Sequence, residues 1–519
     1  MEIKLIGNGT KEKVIDDLFT RMSNLEEKVS DKKDNEMVEL VKDFVDETRK
    51  DFKRDLVLED RLRTISTAGQ LSREIGNVLD VYERRTDSEK NLKLAKAVIG
   101  YGHKTISEHD YLVFGLKDVS RFVEQTLISY RLCSFTIKSG RNVDFRTAGY
   151  YVPDFRDKDG NIVANNEYLK ELYAKHMNNI YLKYGEYVDN GVPVEEARYI
   201  LPFGYKTNIV MGCDANEFFR ITCDLLYGKS SHITELHEVG LEFEKILRDR
   251  CPYFAASLDK EKGNKKYEDN LAFLDDVLIR DKEKLLDKVN LINYTKDSSE
   301  VVAIHALARR YDVEEKEAKR LLKELISDGK YTVEDIIRGV YNNRRQREFE
   351  QVSFTFEFSK ELSIIPQMAR HRIQSLEIPD FAPLWNINNY IYPDHDEDQN
   401  VHISKKEYND IFEKNALMLE VFKGEGIRDE DLIYLYLGGN ACNIRTTMNL
   451  RELIWFARMR SCNKAQKSIR NLSNAVVEEI TNIFPSLGAL LGPTCKVDGV
   501  CYEGKDSCKA RGVVVLKKE

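Results

Sequence analysis

The sequence predicts an α+β protein built as two domains in tandem. Three observations support this. At 519 residues the chain is too long for one ordinary core. Long stretches with apolar residues at helical spacing are broken by only short strand-like runs, at 110–118 and 349–358. A strand, a helix and a basic segment then follow in the same order twice. Ser134 closes Arg131-Leu132-Cys133-Ser134, and Ser375 closes Arg372-Ile373-Gln374-Ser375 241 residues later, a spacing that fits one duplication and not a solenoid array.

Residues 1–60 read as a helical N-terminal arm. Positions 11–60 lack Gly and Pro and carry Leu18, Met22, Leu25 and Val29, then Met37, Leu40, Val41 and Phe44, at helical spacing. The first domain spans 61–258. A helix over 87–101 runs into Gly102-His103, a strand follows at 110–118, and Ser120–Leu132 reads as a helix ending in a loop with Gly140. Residues 165–190 form an amphipathic helix that stops at Asn190-Gly191. Val192-Pro193 starts another with Glu195 and Glu196 in its first turn, where acids complement the helix dipole. Residues 214–250 read as helical. Polar, Gly-containing sequence then marks a linker over 259–285. The second domain, 286–490, repeats the pattern: a strand at 349–358, a helix at 361–374 with Pro366 as its start or a kink, and helix over 446–485. Residues 491–519 form a cysteine-containing tail.

Composition is that of a globular protein, 42% hydrophobic and 32% charged. The net charge of −8 gives no global basic field, which argues against a nucleic-acid partner while leaving room for a local phosphate pocket. The opening MEIKLIGNGTKEKVIDD lacks an apolar signal core, and no run approaches a membrane span. Nine cysteines, an odd number, fit reduced thiols in the cytoplasm. Neither a P-loop nor a dinucleotide glycine motif occurs.

The most specific feature is a motif divided between the halves. Arg370-His371-Arg372-Ile373-Gln374-Ser375 reads RHRxxS. The segment from Tyr130 lacks the opening RH but continues through Ser134 to Lys138-Ser139-Gly140-Arg141. Joined, the two read RHRxxSxxxxSxR, which resembles the signature of the flavin-dependent thymidylate synthases. Other elements extend the resemblance over roughly 90–258 and 349–510. Gly102-His103 through Glu108-His109 resembles the family's GHxxxxEH element, and Ser120-Arg121 its SR. Gly191-Val192-Pro193 with Ala197-Arg198 and Leu201-Pro202 resembles its GVPxxxAR…LP. Asp214-Ala215-Asn216 and Asn449-Leu450-Arg451 stand at its NAR. Arg460, Ala465-Gln466 and Ile469-Arg470 resemble its closing helix.

The resemblance implies two domains, each a small antiparallel sheet packed with helices. It implies methylation of dUMP to dTMP with FAD, with methylenetetrahydrofolate as carbon donor and NADPH as reductant. Family members are homotetramers, so a homodimer of this chain is expected to form a pseudo-tetramer. By the same resemblance Lys138, Ser139, Gly140, Arg141, Arg198, Gln367 and Arg370 bind the nucleotide. Arg460 lies against the pyrimidine and stabilises charge that develops on the ring. His103, Thr105, Arg370, His371, Arg372, Asn449 and Arg451 hold the flavin, with Trp455 where a polar flavin contact is usual. Taken singly, Arg198 reads as a helix-surface ion pair with Glu195 ahead of a ligand contact. Arg460 reads as one charge on a solvated face, and His103 as a helix-end histidine.

The departures sort in one direction. Ser129-Tyr130-Arg131 replaces RHR in the first half. In the second, Asp380-Phe381-Ala382 replaces SGR, Ile433 stands for the arginine represented by Arg198, and Arg345 stands near the place of His103. In the family one subunit supplies the SxR loop and the AR arginine, and its partner supplies the glutamine and arginine around RHR and the closing arginine. Here Ser139, Gly140, Arg141 and Arg198 with Gln367, Arg370 and Arg460 make one nearly complete site, and the reciprocal set has almost nothing to hold an anion. One composite working site is expected. The alternatives are a catalytically degenerate nucleotide- or flavin-binding protein, a related enzyme on another uridine nucleotide, and an RNA-binding protein. No metal site is expected. Cys495, Cys501 and Cys508 are the candidates if there is one, and Cys442 or Cys462 can complete it only through the fold.

Overall fold

The computed structural model describes residues 56–271, 284–379, 386–395 and 399–503, with 2–7, 22–25, 28, 36–44, 273–274, 507–508 and 514–515. Asp380, Phe381 and Ala382, Leu18 and Val29 of the arm, and much of the expected linker lie outside the described residues.

Each half carries one four-stranded sheet. The first contains β1 (Glu2–Gly7), β2 (Tyr111–Ser120), β3 (Ser134–Ile137) and β4 (Lys206–Asp214) in the order β1-β2-β4-β3. The second contains β5 (Asn290–Tyr294), β6 (Ser353–Glu361), β7 (Ser375–Glu377) and β8 (Ala441–Asn449) in the order β5-β6-β8-β7. The duplication is therefore visible in the backbone as one strand order used twice. The pairs β1–β2, β3–β4, β5–β6, β6–β8 and β7–β8 are antiparallel. Period-two burial fixes which face meets the core: Leu112, Phe114 and Leu116 in β2, Phe354, Phe356 and Phe358 in β6. Phe114 packs on Phe218 with ring centroids 4.5 Å apart, and Phe218 on Phe243 at 5.1 Å.

Several predicted helices are shorter than expected, each for a local reason. The stretch 214–250 is two helices, Ala215–Tyr227 and Thr234–Arg250, broken at Gly228, where an added Cβ would lie 2.7 Å from the Asp224 carbonyl oxygen. The stretch 446–485 begins as strand. Asn449 leaves β8 extended and its side-chain oxygen accepts the Glu452 amide at 2.9 Å, so helix Leu450–Arg460 starts there. A turn at 461–466 separates it from helix Lys467–Ile483. The helix expected over 361–374 is confined to Ile365–Ala369, with Pro366 in its first turn, so Arg370-His371-Arg372 stand just beyond its end. Ser120–Leu132 is helical only over Arg121–Leu127. Strand β1 and the helices Ser298–Tyr311, Glu315–Ser327 and Val333–Tyr341 were not anticipated. The first two of those helices share a small core of Ala303, Ile304, Leu307, Ala318 and Leu322.

The chain divides into two compact units that do not follow the halves. One comprises Met1–Val119, Leu132–Lys138 and Thr207–Ile279. The other comprises Ser120–Arg131, Ser139–Lys206 and Arg280–Glu519, and so takes in pieces of both repeats. Within this second unit the repeats meet through reciprocal backbone bonds. The Phe203 amide donates to the Tyr436 carbonyl (2.7 Å), and the Gly438 amide to the Leu201 carbonyl (2.9 Å). Gly204 donates to Tyr434 (3.3 Å) and Gly439 to Tyr199 (2.7 Å), with Pro202 bridging Leu437 between them.

The first unit is pinned by a buried ion pair. Arg61 donates two bonds of 2.5 Å to Asp110, which also accepts from the Tyr253 hydroxyl at 2.5 Å. Asp110 directly follows the turn Lys104–His109 that carries Thr105. Removing one partner of such a pair strands a buried charge. Asp110→Ala is expected to lower unfolding stability by about 3–5 kcal/mol, with the joint change Arg61→Met, Asp110→Leu recovering most of it. Denaturant unfolding followed at the first unit's core checks this, and equal losses in the single and joint variants would contradict it.

Candidate functional site

The SxR loop is built by its serine. Ser139 Oγ accepts from the Arg141 amide and from Asn142 Nδ2, both at 3.3 Å, and its carbonyl accepts the Val143 amide at 3.0 Å, which curls the chain. A Cβ at Gly140 would lie 3.3 Å from Arg198 Nη1, so glycine lets this loop close on that guanidinium. Arg141 donates through Nε to Glu195 (2.7 Å) and through Nη2 to the Lys464 carbonyl (3.4 Å), which reaches from the first repeat to the second.

Arg198 is buried and held without a carboxylate. It donates to the Glu195 carbonyl (3.3 Å) and to the Gln466 side-chain oxygen (2.6 Å). The same Gln466 oxygen accepts from Gln367 Nε2 at 2.6 Å. Because a guanidinium only donates, Gln466 must face Arg198 with its oxygen, and that fixes the Gln367 amide in turn. Gln466 Nε2 lies 3.3 Å from the Tyr199 hydroxyl, which donates to buried Glu361 at 2.7 Å. Burial holds Arg198 below the usual arginine range.

Arg460 stands next to this network. Its Nε donates to His371 Nε2 at 3.0 Å and its Nη2 to the Gln367 carbonyl at 2.7 Å. His371 is buried, packs edge-on to Phe456, and has Nδ1 3.4 Å from Glu452. Burial pushes the imidazole below its ordinary value, so Nε2 is free to accept. Burial, with the charges of Arg370 and Arg141 close by, lowers the Arg460 guanidinium to about 10. Among the described residues neither Arg460 nor Arg370 has a carboxylate partner. The guanidiniums of Arg141, Arg370 and Arg460 lie close together, with Glu195 bonded to Arg141, an arrangement able to hold an anion.

A cavity of about 450 Å³ adjoins it, lined by Arg370, Arg372, Asn449, Arg451, Trp455 and Tyr341, among others. Four of the expected cofactor residues thus share one surface. Their chemistry suits FAD, with arginines for a pyrophosphate and exposed Trp455 as a ring surface. Arg451 also pairs with Glu350, and Arg458 donates to the Tyr341 hydroxyl. His371 does not line this cavity; its ring is committed to Arg460. Exposed His103, Thr105 and Lys138 belong to the other compact unit, His103 at the head of a 3₁₀ turn and Lys138 with its amide bonded to the Asn208 carbonyl. Sequence reasoning did not single out Glu195, Tyr199, Glu361 or Gln466 as parts of a site. Gln466 stood in a matched motif, but its bridging role depends on a fold contact that no spacing encodes.

Comparison with known proteins gives the family. The family model described as thymidylate synthase complementing protein matches twice, over residues 57–253 and 290–486. The chain is 31% identical over 250 residues to the flavin-dependent thymidylate synthase of Clostridium tetani, covering 43% of this chain and 92% of that protein. It is 29% identical over 216 residues to the enzyme of that name from Saccharolobus solfataricus (40% and 77%), and 28% identical over 162 residues to that of Geobacter sulfurreducens (31% and 67%). Among the described residues no helix is long and apolar enough to cross a membrane. With its family match repeated over most of its length, the chain belongs to the thymidylate synthase complementing proteins, carried here as two repeats in one polypeptide.

Proposed function

We propose that this chain methylates dUMP to dTMP at one composite site, with FAD as cofactor, methylenetetrahydrofolate as carbon donor and NADPH as reductant. The observation that carries the reading is the meeting of Arg141 and Arg198 from the first repeat with Gln367, Arg370 and Arg460 from the second in one compact unit. A nucleotide phosphate needs fixed guanidinium forks and neutral donors, which Arg141, Arg370, the Ser139 hydroxyl and the Gly140 amide supply. Arg460, held by a neutral imidazole and a carbonyl, keeps its charge for negative charge that develops on the pyrimidine. Reduced flavin, when bound, supplies the hydride and mediates methylene transfer. Arg370, Arg372, Asn449 and Arg451 would hold it. A homodimer of chains would supply the pseudo-tetramer.

Anaerobic turnover of flavin-reconstituted protein with dUMP, methylenetetrahydrofolate and NADPH should yield dTMP, with about one nucleotide bound per chain and a light-scattering mass of about two chains. Two nucleotides per chain would refute the composite site, and bound flavin without dTMP would favour a degenerate binding protein. Arg141→Ala should weaken dUMP binding by about 1.5–3 kcal/mol, roughly 10- to 150-fold. Arg460→Met should lower kcat by about 10²–10³-fold with flavin content retained.

His371 gives a pH prediction. Its folded value lies below the ordinary 6.5, so the stability tied to its neutral ring is fully present above 6.5 and is lost as pH falls toward and through the folded value. Protonation also removes the acceptor for Arg460. Thermal stability should fall as pH drops below 6.5, and His371→Gln should flatten that fall. Superimposable pH profiles for the two proteins would contradict the assignment.

A further inference from the structure

Glu361 closes strand β6 and is fully buried. A buried carboxylate is costly unless it is paired. Among the described residues Glu361 is bonded only through Oε1, which accepts from the Tyr199 hydroxyl at 2.7 Å, and Oε2 has no partner. The strand end does not require a carboxylate. Ser120 closes β2 in the first repeat, and its side chain caps the next helix by accepting the Val123 amide at 3.2 Å. The acid therefore stands in one repeat only, as Arg198 does, and in the opposite one.

The bonds leading away from Glu361 run in one direction. A carboxylate only accepts, so Tyr199 gives its proton to Glu361. Burial, and then the charge of Glu361, hold the phenol well above its usual range, so the proton is there to give. The phenol oxygen is left to accept, and Gln466 Nε2 lies 3.3 Å away. With its nitrogen turned to Tyr199, Gln466 presents its oxygen to Arg198 and to Gln367, at 2.6 Å each. An amide turned end for end keeps its shape, so packing alone does not choose between the two orientations. Arg198 demands one of them from its side, and Glu361 demands the same one from the far end. Gln367 then has its nitrogen engaged, and its buried Oε1 has no donor among the described residues.

Taking Arg198 and Gln367 as nucleotide contacts, as the proposed function does, we propose that Glu361 and Tyr199 are positioning residues of that site. They act through Gln466, ordering its amide so that Arg198 and Gln367 are set before the nucleotide arrives. Arg198 meets the ligand charged, and Gln367 meets it as an acceptor. The arrangement supplies a counter-charge at a distance. Glu361 steadies Arg198 through a phenol and an amide, because aligned hydrogen bonds polarise one another. A carboxylate in direct contact would instead take up the guanidinium fork that an anion needs.

The test is a double-mutant cycle on dUMP affinity, measured by calorimetry on the flavin-loaded full chain. Glu361→Gln keeps the side chain's size but lets it donate as well as accept, so the relay loses its direction. It should weaken dUMP binding about three- to tenfold, with flavin content and kcat at saturating dUMP within about twofold of wild type. Glu361 and Gln466 share no hydrogen bond among the described residues and are joined only through Tyr199. In a Gln466→Met background, Glu361→Gln should therefore change dUMP affinity by less than about twofold. Tyr199→Phe, which cuts the relay and keeps Gln466, is a second background with the same expectation. Thermal melting confirms that each variant is folded. An unchanged dUMP Kd in Glu361→Gln, an equal loss in wild-type and cut backgrounds, or a loss confined to kcat would each overturn the proposal. Wild-type protein that binds flavin but no dUMP would overturn the reading of the nucleotide site, and the proposal with it.

Discussion

The reciprocal contact between residues 199–204 and 434–439 is the constraint on which the rest of the second unit depends. Its bonds come in pairs: Phe203 to Tyr436 answers Gly438 to Leu201, and Gly204 to Tyr434 answers Gly439 to Tyr199. This is the self-complementary pattern of a two-fold interface, here made between repeats of one chain. It demands close backbone approach. A Cβ at Gly438 would lie 2.7 Å from the Arg198 carbonyl oxygen, and one at Gly439 would overlap the Tyr408 hydroxyl. Only with glycine at both positions does Arg198 come close enough to meet Gln466 and, through it, Gln367.

The inward-facing arginines are held in two ways. Arg61 and Arg121 are neutralised, by Asp110 and Glu124 respectively, and serve as internal ties. Arg198 and Arg460 are held instead by carbonyl oxygens, an amide oxygen and an imidazole nitrogen. Such acceptors satisfy N–H groups and fix orientation without cancelling charge. The cost appears as the Arg460 guanidinium, depressed first by burial and then by the charges of Arg370 and Arg141. A ligand anion relieves that repulsion, which is how a site can favour an anion before it arrives. Glu195 tethers Arg141, the arginine on a loop, where a guanidinium otherwise has the most freedom to lose.

The sequence made the duplication, the strands at 111–120 and 353–361, and the complementary losses legible, because each leaves a local pattern of period, motif or missing charge. What it hid depends on neighbours distant in the chain. Asn449 reads as one more residue in a helical stretch until its side chain is seen capping Leu450–Arg460. The helix ending at Ala369 looks continuous with Arg370-His371-Arg372 because nothing in their composition opposes helix, yet the motif must leave the helix to reach its partners. His371 carries the family's expectation of a cofactor contact. Its burial against Phe456 and its bond to Arg460 are set by the packing of helix Leu450–Arg460, which no spacing around residue 371 reveals.

Comparing the repeats separates what the fold needs from what a ligand needs. Asp214 and Asn449 cap corresponding helices with bonds of 2.9 Å each, and the residue after each donates to the chain just before the central strand, Ala215 to Asp110 and Leu450 to Val352. These features appear twice because each sheet must hand its chain to a helix. Arg198 appears once. Its counterpart Ile433 is fully buried, and a guanidinium there would need its own acceptor of the kind Gln466 provides. Once the two faces of a self-complementary contact sit in one chain, they no longer have to be the same sequence. One face can keep the costly uncompensated charge of Arg198 while the other fills the space with the hydrocarbon of Ile433.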